Sequence, residues 1–287
     1  MMSNVQNFIE KAIAGRWISG STIQDAITDS KEFNSKGIKT IINYLGESFT
    51  NDYEIAEAVD TYMRLIRYIA ENGINADISV KPTQLGLLKD SDTLKSNYSK
   101  IVAEARKAKI FVWLDMEEAD YVDATIQLYL SELDGAGVGI CMQSYLKRSE
   151  DDIRKILQKG SVIRLVKGAY SSTKNKSFNT REAVTSNYSK LMGMLFSQGA
   201  GFTLGTHDIN MIKEAQALNK EYRRDVTYAM LKGINNKYLL DLSKSGNKVA
   251  VYLPFGKRWL AYSYRRLKEA GHIKLILKSL MKSQKLE

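Results

Sequence analysis

Eight short apolar runs, each followed by or set between longer stretches with helical spacing, constrain this chain more than any other feature. The runs are TIINYLGE (40–47), ADISVKP (76–82), KIFVWLDM (109–116), VGICMQ (138–143), VIRLVKG (162–168), GFTLGTH (201–207), VTYAML (226–231) and KVAVYLPF (248–255). Between them lie amphipathic stretches such as YEIAEAVDTYMRLIRYIAENG and REAVTSNYSKLMGMLFSQG. Strands alternating with helices imply an α/β protein with a parallel sheet. Eight such units in roughly 250 residues match a closed (β/α)8 barrel of the TIM type. A doubly wound open sheet shares the alternation, but the G-x-G-x-x-G turn that often follows its first strand is missing here. Residues 1–38 precede the repeat and read as helices, VQNFIEKAIAG and TIQDAITDSKEFNSKG, with Gly15, Gly20 and Gly37 as stops. They are expected to cap the barrel of residues 39–287. No Pro/Gly-rich linker divides the chain, and its two prolines are Pro82 and Pro254. A single domain over 1–287 is therefore expected.

Composition narrows the chemistry. A single cysteine, Cys141, excludes an internal disulfide and suits a reducing compartment. Two histidines, His207 and His272, make a zinc site a poor fit. The net charge of +10 is spread along the chain without a nucleic-acid motif. The opening MMSNVQNFIEKAIAGRW has the pattern of a polar amphipathic helix rather than of a secretory signal. No apolar run is long enough to cross a bilayer. A cytoplasmic location is the expectation.

In a barrel of this type the active site sits at the C-terminal ends of the strands. Those ends carry Glu47, Lys81, Asp115, Gln143, Arg164, Lys167, Thr206, His207 and Tyr252. Strand alternation sets Lys81 on the face of Ser79, opposite Ile78 and Val80. It likewise sets Arg164 with Val162 and Val166, opposite Ile163 and Leu165. Val249, Val251 and Leu253 share one face of the last run, and Ala250 and Tyr252 the other. After that run, Tyr262, Arg265, Arg266 and Glu269 follow helical spacing and form one polar stripe. Two adjacent arginines suit bidentate capture of a carboxylate, although a solvated basic face has the same pattern. With Lys81, Arg164 and Lys167 they make the rim cationic, fit for a cofactor pyrophosphate and a substrate carboxylate. Gly168 lets a backbone approach a phosphate closely.

The blocks VKPTQLGL (80–87), LDMEEA (114–119), MQSYLKR (142–148), RLVKGAY (164–170), GTHD (205–208), VYLPFG (251–256) and YSYRRLKE (262–269) occur in order. With them the chain resembles, over essentially its whole length, the flavin-dependent proline dehydrogenases of the compact, single-function kind. It also resembles the proline dehydrogenase domain of proline utilisation A proteins. The resemblance implies a (β/α)8 barrel with FAD at the strand ends. It implies oxidation of L-proline to Δ1-pyrroline-5-carboxylate by hydride transfer from C5 to flavin N5, with electrons passed to a quinone. Carried over residue by residue, it makes Lys81 the lysine near the substrate carboxylate, and Arg265 and Arg266 the pair that grips it. Glu47 becomes the gate that pairs with the first arginine. Asp115 is the catalytic-site aspartate, and the Met116 backbone lies beside the flavin. Gln143 becomes a flavin-ring ligand, and Arg164 lies near N5. Lys167, Gly168 and Ala169 form the next cofactor-binding turn. Thr206 and His207 hold FAD, and Tyr252 and Tyr262 wall the proline ring. Ser171 departs from the larger residue that many relatives carry after GAY.

Two other classes share parts of this pattern. Lys81 at a strand end is also where an aldolase-like barrel would place a Schiff-base lysine. A basic barrel without catalysis would bind anions only. The tail HIKLILKSLMKSQK interleaves apolar residues with lysines, a pattern that can seat a peripheral protein on the inner face of an anionic membrane or simply cap a barrel.

Overall fold

The computed structural model describes residues 15–133, 137–168, 170, 172–173 and 175–259. Each of the eight apolar runs forms a strand: β1 (Lys39–Tyr44), β2 (Ala76–Val80), β3 (Val112–Leu114), β4 (Val138–Gln143), β5 (Ile163–Val166), β6 (Gly201–Gly205), β7 (Asp225–Leu231) and β8 (Lys248–Phe255). The strands pair in parallel in chain order, and β8 returns to pair with β1, closing the barrel. Five of the strands are shorter than their runs. The first ends at Tyr44, before Gly46 and Glu47. The third begins only at Val112, because Lys109 turns through φ 57° just after a helix ends.

The helices are α1 (Ile23–Ser35), α2 (Asp52–Glu71), α3 (Ser91–Lys107), α4 (Val122–Leu130), α5 (Ser149–Leu157), α6 (Arg181–Gln198), α7 (Ile209–Tyr222) and α8 (Asn236–Lys244). Several start on a side-chain cap: Asn51, Asp90, Thr180 and Asp208 each accept a backbone N–H of the first turn. From α2 to α8 they are the seven crossovers between consecutive strands. The β8–β1 seam is covered by α1, which packs on both of those strands through Ala26, Ile27 and Phe33. A reciprocal capping box starts it, with Asp25 N donating to Thr22 Oγ1 at 3.1 Å and Thr22 N donating to Asp25 Oδ2 at 2.9 Å. The segment before it is stitched to the barrel: Ser19 N donates to Pro254 O at 2.7 Å, and Gly256 N to Gly20 O at 3.0 Å. Gly20 thus belongs to a turn that leads into a helix rather than one that ends it. The expected helix over residues 5–15 lies outside the described residues.

Two apolar layers result. Outward-facing strand residues, among them Ile78, Val80, Leu114, Leu165, Val251 and Leu253, join the helices in one large cluster. Each such fully buried aliphatic side chain contributes about 1.5–3 kcal/mol. Inside the barrel a small cluster of Ile41, Trp113, Ala229 and Ala250 is ringed by Phe111, Val162 and Tyr252. The alternation expected for β2 and β8 therefore holds. On β5, Arg164 and Val162 point inward as expected, but Val166 packs against the outer cluster. The barrel floor, at the strands' N-terminal ends, is closed by ion pairs Lys39–Asp77 (2.6 Å) and Lys248–Asp225 (2.7 Å).

Candidate active site

Above the apolar layer, the inward residues of β2, β3, β5 and β8 change from hydrocarbon to polar and charged groups. Asp115, the residue after β3, is the centre. Ser79 Oγ donates to its Oδ1 at 2.8 Å, and Tyr252 Oη donates to its Oδ2 at 2.8 Å. Lys81 Nζ lies 3.2 Å from Oδ2, and the Arg164 guanidinium is bonded to Oδ1. Burial works to raise the Asp115 carboxyl, but Lys81, Arg164 and the Ser79 and Tyr252 hydroxyls hold it below the usual aspartate value. It is an anion at neutral pH. Burial is the largest influence on Lys81 too and opposes its charge, yet Asp115, Tyr62 and Glu117 together outweigh it and raise the ammonium's pKa. That is the reverse of what a Schiff-base nucleophile needs, so the aldolase-like reading has no support in this geometry.

Arg164 is 3% exposed, and its guanidinium carbon lies 5.1 Å from the Trp113 ring centre and 5.3 Å from that of Tyr252. Such contacts fix the plane of a guanidinium that also carries an ion pair. Burial acts against its charge, while Cys141 and Asp115 favour it, and the net direction is upward. Its Nη1 is buried and has no hydrogen-bond partner. The same is true of Gln143 Oε1, while Gln143 Nε2 donates to Met116 O at 2.8 Å. Among buried groups, an unmet donor and an unmet acceptor at neighbouring strand ends mark where a ligand would be accommodated. Nearby, Gly168 sits at φ 97°, and a Cβ there would collide with the Tyr145 ring.

The remaining rim residues divide into two groups. Lys167 Nζ reaches away from Asp115, to Asp208 Oδ2 and Thr185 Oγ1, each at 3.0 Å. Thr206 Oγ1 accepts the Asp208 amide at 3.1 Å, and His207 Nε2 accepts the Leu231 amide at 3.3 Å. These residues, with Gly168, line the β5–β7 side. On the β1 side, Glu47 Oε2 accepts from Tyr170 Oη at 3.2 Å. Of the residues expected on one rim, the structure brings Lys81, Asp115, Arg164 and Tyr252 into one cluster and sets Lys167, Thr206 and His207 in a second. Ala169, Tyr262, Arg265 and Arg266 lie outside the described residues.

Three participants were not singled out from sequence. Asn43 accepts from Lys81 Nζ at 3.2 Å and donates to Ser79 O at 2.8 Å. Its position two residues after inward-facing Ile41 is the signal that would have found it. Tyr62, on α2, donates to Ser79 O at 2.8 Å from outside the barrel, with no strand-end signal at all. Glu117 is buried beneath Thr83, and its carboxylate receives the Thr83 amide at 2.9 Å and the Thr83 hydroxyl at 2.6 Å.

Comparison with known proteins supplies a family and a fold. The family model described as proline dehydrogenase matches residues 26–278. "Proline dehydrogenase 2" of Bacillus subtilis (strain 168) is 33% identical over 269 residues, covering 92% of this chain and 88% of that protein. "Proline dehydrogenase" of Deinococcus radiodurans is 30% identical over 266 residues, covering 90% and 86%. Among solved structures, proline utilization A from Bdellovibrio bacteriovorus, inactivated by N-propargylglycine, superposes with a TM-score of 0.87 at 19% identity. That match covers 99% of this chain but 35% of the other, so the chain spans about a third of that protein, and the likeness speaks to fold. With a family model matched over most of its length and curated members this similar, the chain belongs to the proline dehydrogenase family.

Proposed function

We propose that this protein oxidises L-proline to Δ1-pyrroline-5-carboxylate at the C-terminal ends of the barrel strands, with FAD as the oxidant and a quinone as the final acceptor. The observation that carries the reading is the buried Lys81–Asp115–Arg164 cluster in a chain of this family. The residues fit a flavin: Gln143 Oε1 and Arg164 Nη1 are buried without partners on neighbouring strands, and Gly168, at φ 97°, takes a turn conformation that a side chain would not share. Gln143, Arg164 and the Met116 backbone would hold the ring, and Lys167, Gly168, Ala169, Thr206 and His207 the rest of the cofactor. When bound, FAD supplies the two-electron acceptor for the hydride that leaves proline C5.

The chain's own residues bind and orient. The substrate carboxylate is the strong handle on a small ring, and protonated Lys81, with Arg265 and Arg266, suits it. Asp115 stays ionised and holds Lys81, Arg164 and Tyr252 in mutual register. Proline must lose its ammonium proton before a hydride can leave, so a cationic anchor at the carboxylate also favours the neutral amine. Arg164 places positive charge where negative charge gathers on reduction. Tyr252 and Tyr262 wall the ring, and Glu47 closes the mouth.

Anaerobic addition of L-proline to the purified yellow protein tests the reading: the flavin absorbance should bleach. A flavin-loaded protein whose spectrum proline leaves unchanged would refute it. Among the described residues no helix is long and apolar enough to cross a membrane. Contact with a quinone would then be peripheral, and the lysine-rich tail after His272, outside the described residues, is the segment we assign to it. Salt-sensitive co-sedimentation with anionic liposomes is the expected result, and its absence would leave the tail a capping role.

A further inference from the structure

Among the described residues three non-glycine residues have positive φ: Ser48, Lys109 and Arg223. Arg223 is the αL cap of α7, and Lys109 lies just past the cap of α3, so both sit where left-handed backbone is ordinary. Ser48, at φ 57°, closes no helix. It lies in the turn that carries Glu47, between β1 and α2. Such a conformation persists where the surroundings over-determine it.

At the backbone, Thr83 holds this turn by two amides. Ser48 N donates to Thr83 Oγ1 at 2.9 Å, and Phe49 N donates to Thr83 O at 3.0 Å. Thr83 is in turn held by Glu117, which accepts its amide at 2.9 Å and its hydroxyl at 2.6 Å. Thr83 also lies two residues after Lys81 in the 3-10 turn Pro82–Gln84. A carboxylate in the loop after β3 therefore reaches, through one threonine, both the lysine strand end and the glutamate turn.

We infer that Glu117 is a positioning residue: through Thr83 it holds the Glu47 turn and the Lys81 strand end in the arrangement that closes over the substrate. The direction of the bonds gives it a protonation requirement. Thr83 N–H can only donate, and the Thr83 hydroxyl hydrogen is the one left to donate once its oxygen has accepted from Ser48. Both Glu117 oxygens must accept, which an ionised carboxylate does and an amide or a carboxylic acid does not. The groups facing Glu117 are Lys81 from the β2 end, Asp115 from its own strand end and Tyr121 from the following turn. Burial raises the Glu117 carboxyl, against the Lys81 charge and the two Thr83 bonds, to about 7. With the Thr83 bonds broken and Glu117 still buried, its carboxyl would titrate higher still, so acidification through that value favours the broken form and should loosen the relay.

The inference deepens the proposed proline oxidation, and its test has one arm that does not depend on it. Hydrogen exchange on the FAD-loaded protein reports the amides of Ser48 and Phe49 directly. In Glu117→Gln their exchange should accelerate about tenfold or more, while the β4 amides keep wild-type rates. In wild type, corrected for intrinsic exchange chemistry, it should accelerate between about pH 8 and about pH 6, and Glu117→Gln should abolish that dependence. Thr83→Val should behave as Glu117→Gln, and Thr83→Ser, which keeps the hydroxyl, as wild type. In kinetics, Glu117→Gln should raise KM for proline about tenfold with kcat within about twofold. Ser48 and Phe49 amides that exchange at wild-type rates in Glu117→Gln and show no pH dependence in wild type would overturn the inference. Were Glu117→Gln not to fold, the wild-type pH series would decide by the same criterion. A wild type inert toward proline would sink the proline reading and leave the exchange result to judge Glu117.

Discussion

Two aspartates, one at each end of the same barrel, are both buried, and their carboxyls respond in opposite directions. Asp77 lies at the floor, receives Trp113 Nε1 at 3.0 Å and pairs with Lys39 at 2.6 Å. Burial dominates there, and its pKa is raised. Asp115 lies at the rim, equally buried, but takes two cations and two hydroxyls, and its pKa is lowered. The difference is the number of donors, not the depth. Lys39 keeps 38% of its side chain in water and can leave, whereas Lys81 and Arg164 are buried and have no such outlet. A floor pair of this kind stabilises the barrel only modestly, while the rim cluster is a set of mutually dependent charges.

The largest effect should come from breaking the rim. Asp115→Ala would leave two buried cations facing each other, a loss on the order of 3–5 kcal/mol in stability. Proline turnover should fall by about 10²–10³ in kcat/KM as Lys81 and Arg164 lose their register. Asp77→Ala should cost about 1 kcal/mol and leave turnover intact. Urea unfolding and steady-state assays on both variants check the pair; equal losses of activity would erase the distinction.

The two ends should also differ in pH. The stabilisation from Asp115 is fully present above its unfolded value of about 3.9 and is lost as pH falls through its lower folded value. Asp77, with a raised folded value, does the reverse: its cost is fully present above that value and is relieved as pH falls through it. Subtracting the Asp77→Asn unfolding curve from wild type should thus show wild type gaining relative stability on acidification. A difference curve that is flat, or that slopes the other way, would mean the Lys39 pair outweighs burial after all.

Smaller effects are expected at Tyr252, whose hydroxyl bonds Asp115 and whose ring lies against Arg164. Tyr252→Phe removes a single bond to Asp115, about 1 kcal/mol, or roughly fivefold in kcat/KM. Tyr252→Ser removes the ring as well. It should lower activity on proline while narrowing its preference over trans-4-hydroxy-L-proline, because a buried hydroxyl without a partner costs about 1–3 kcal/mol. If both substrates decline in parallel, Tyr252 serves packing alone.

What could be seen in the sequence follows the same division. Parallel strands covered on both faces show as uninterrupted apolar runs, so all eight were legible. Lys81 and Asp115 were legible because they stand just past strand ends, and Arg164 and Tyr252 because they lie within strands, where alternation gives direction. Glu117 was not, because it lies two residues beyond Asp115, where the chain has left the strand and alternation no longer applies. The Lys167–Asp208 pair joins two loops that no local pattern connects. Nor does helical periodicity say which strands a helix will cover, so the place of α1 could only be read in three dimensions.

That place has a consequence for how the molecule is made. The helix that seals the β8–β1 seam is synthesised before any strand, and the strand it must meet comes last. Until Val249–Leu253 has left the ribosome, Ala26, Ile27 and Phe33 lack half of their partners. Barrel closure therefore waits for the last strand and depends on sequence-distant contacts, the kind that form slowly. Premature stops within the last strand should yield chains that aggregate rather than barrels with one strand missing, because the first helix would remain an exposed apolar face.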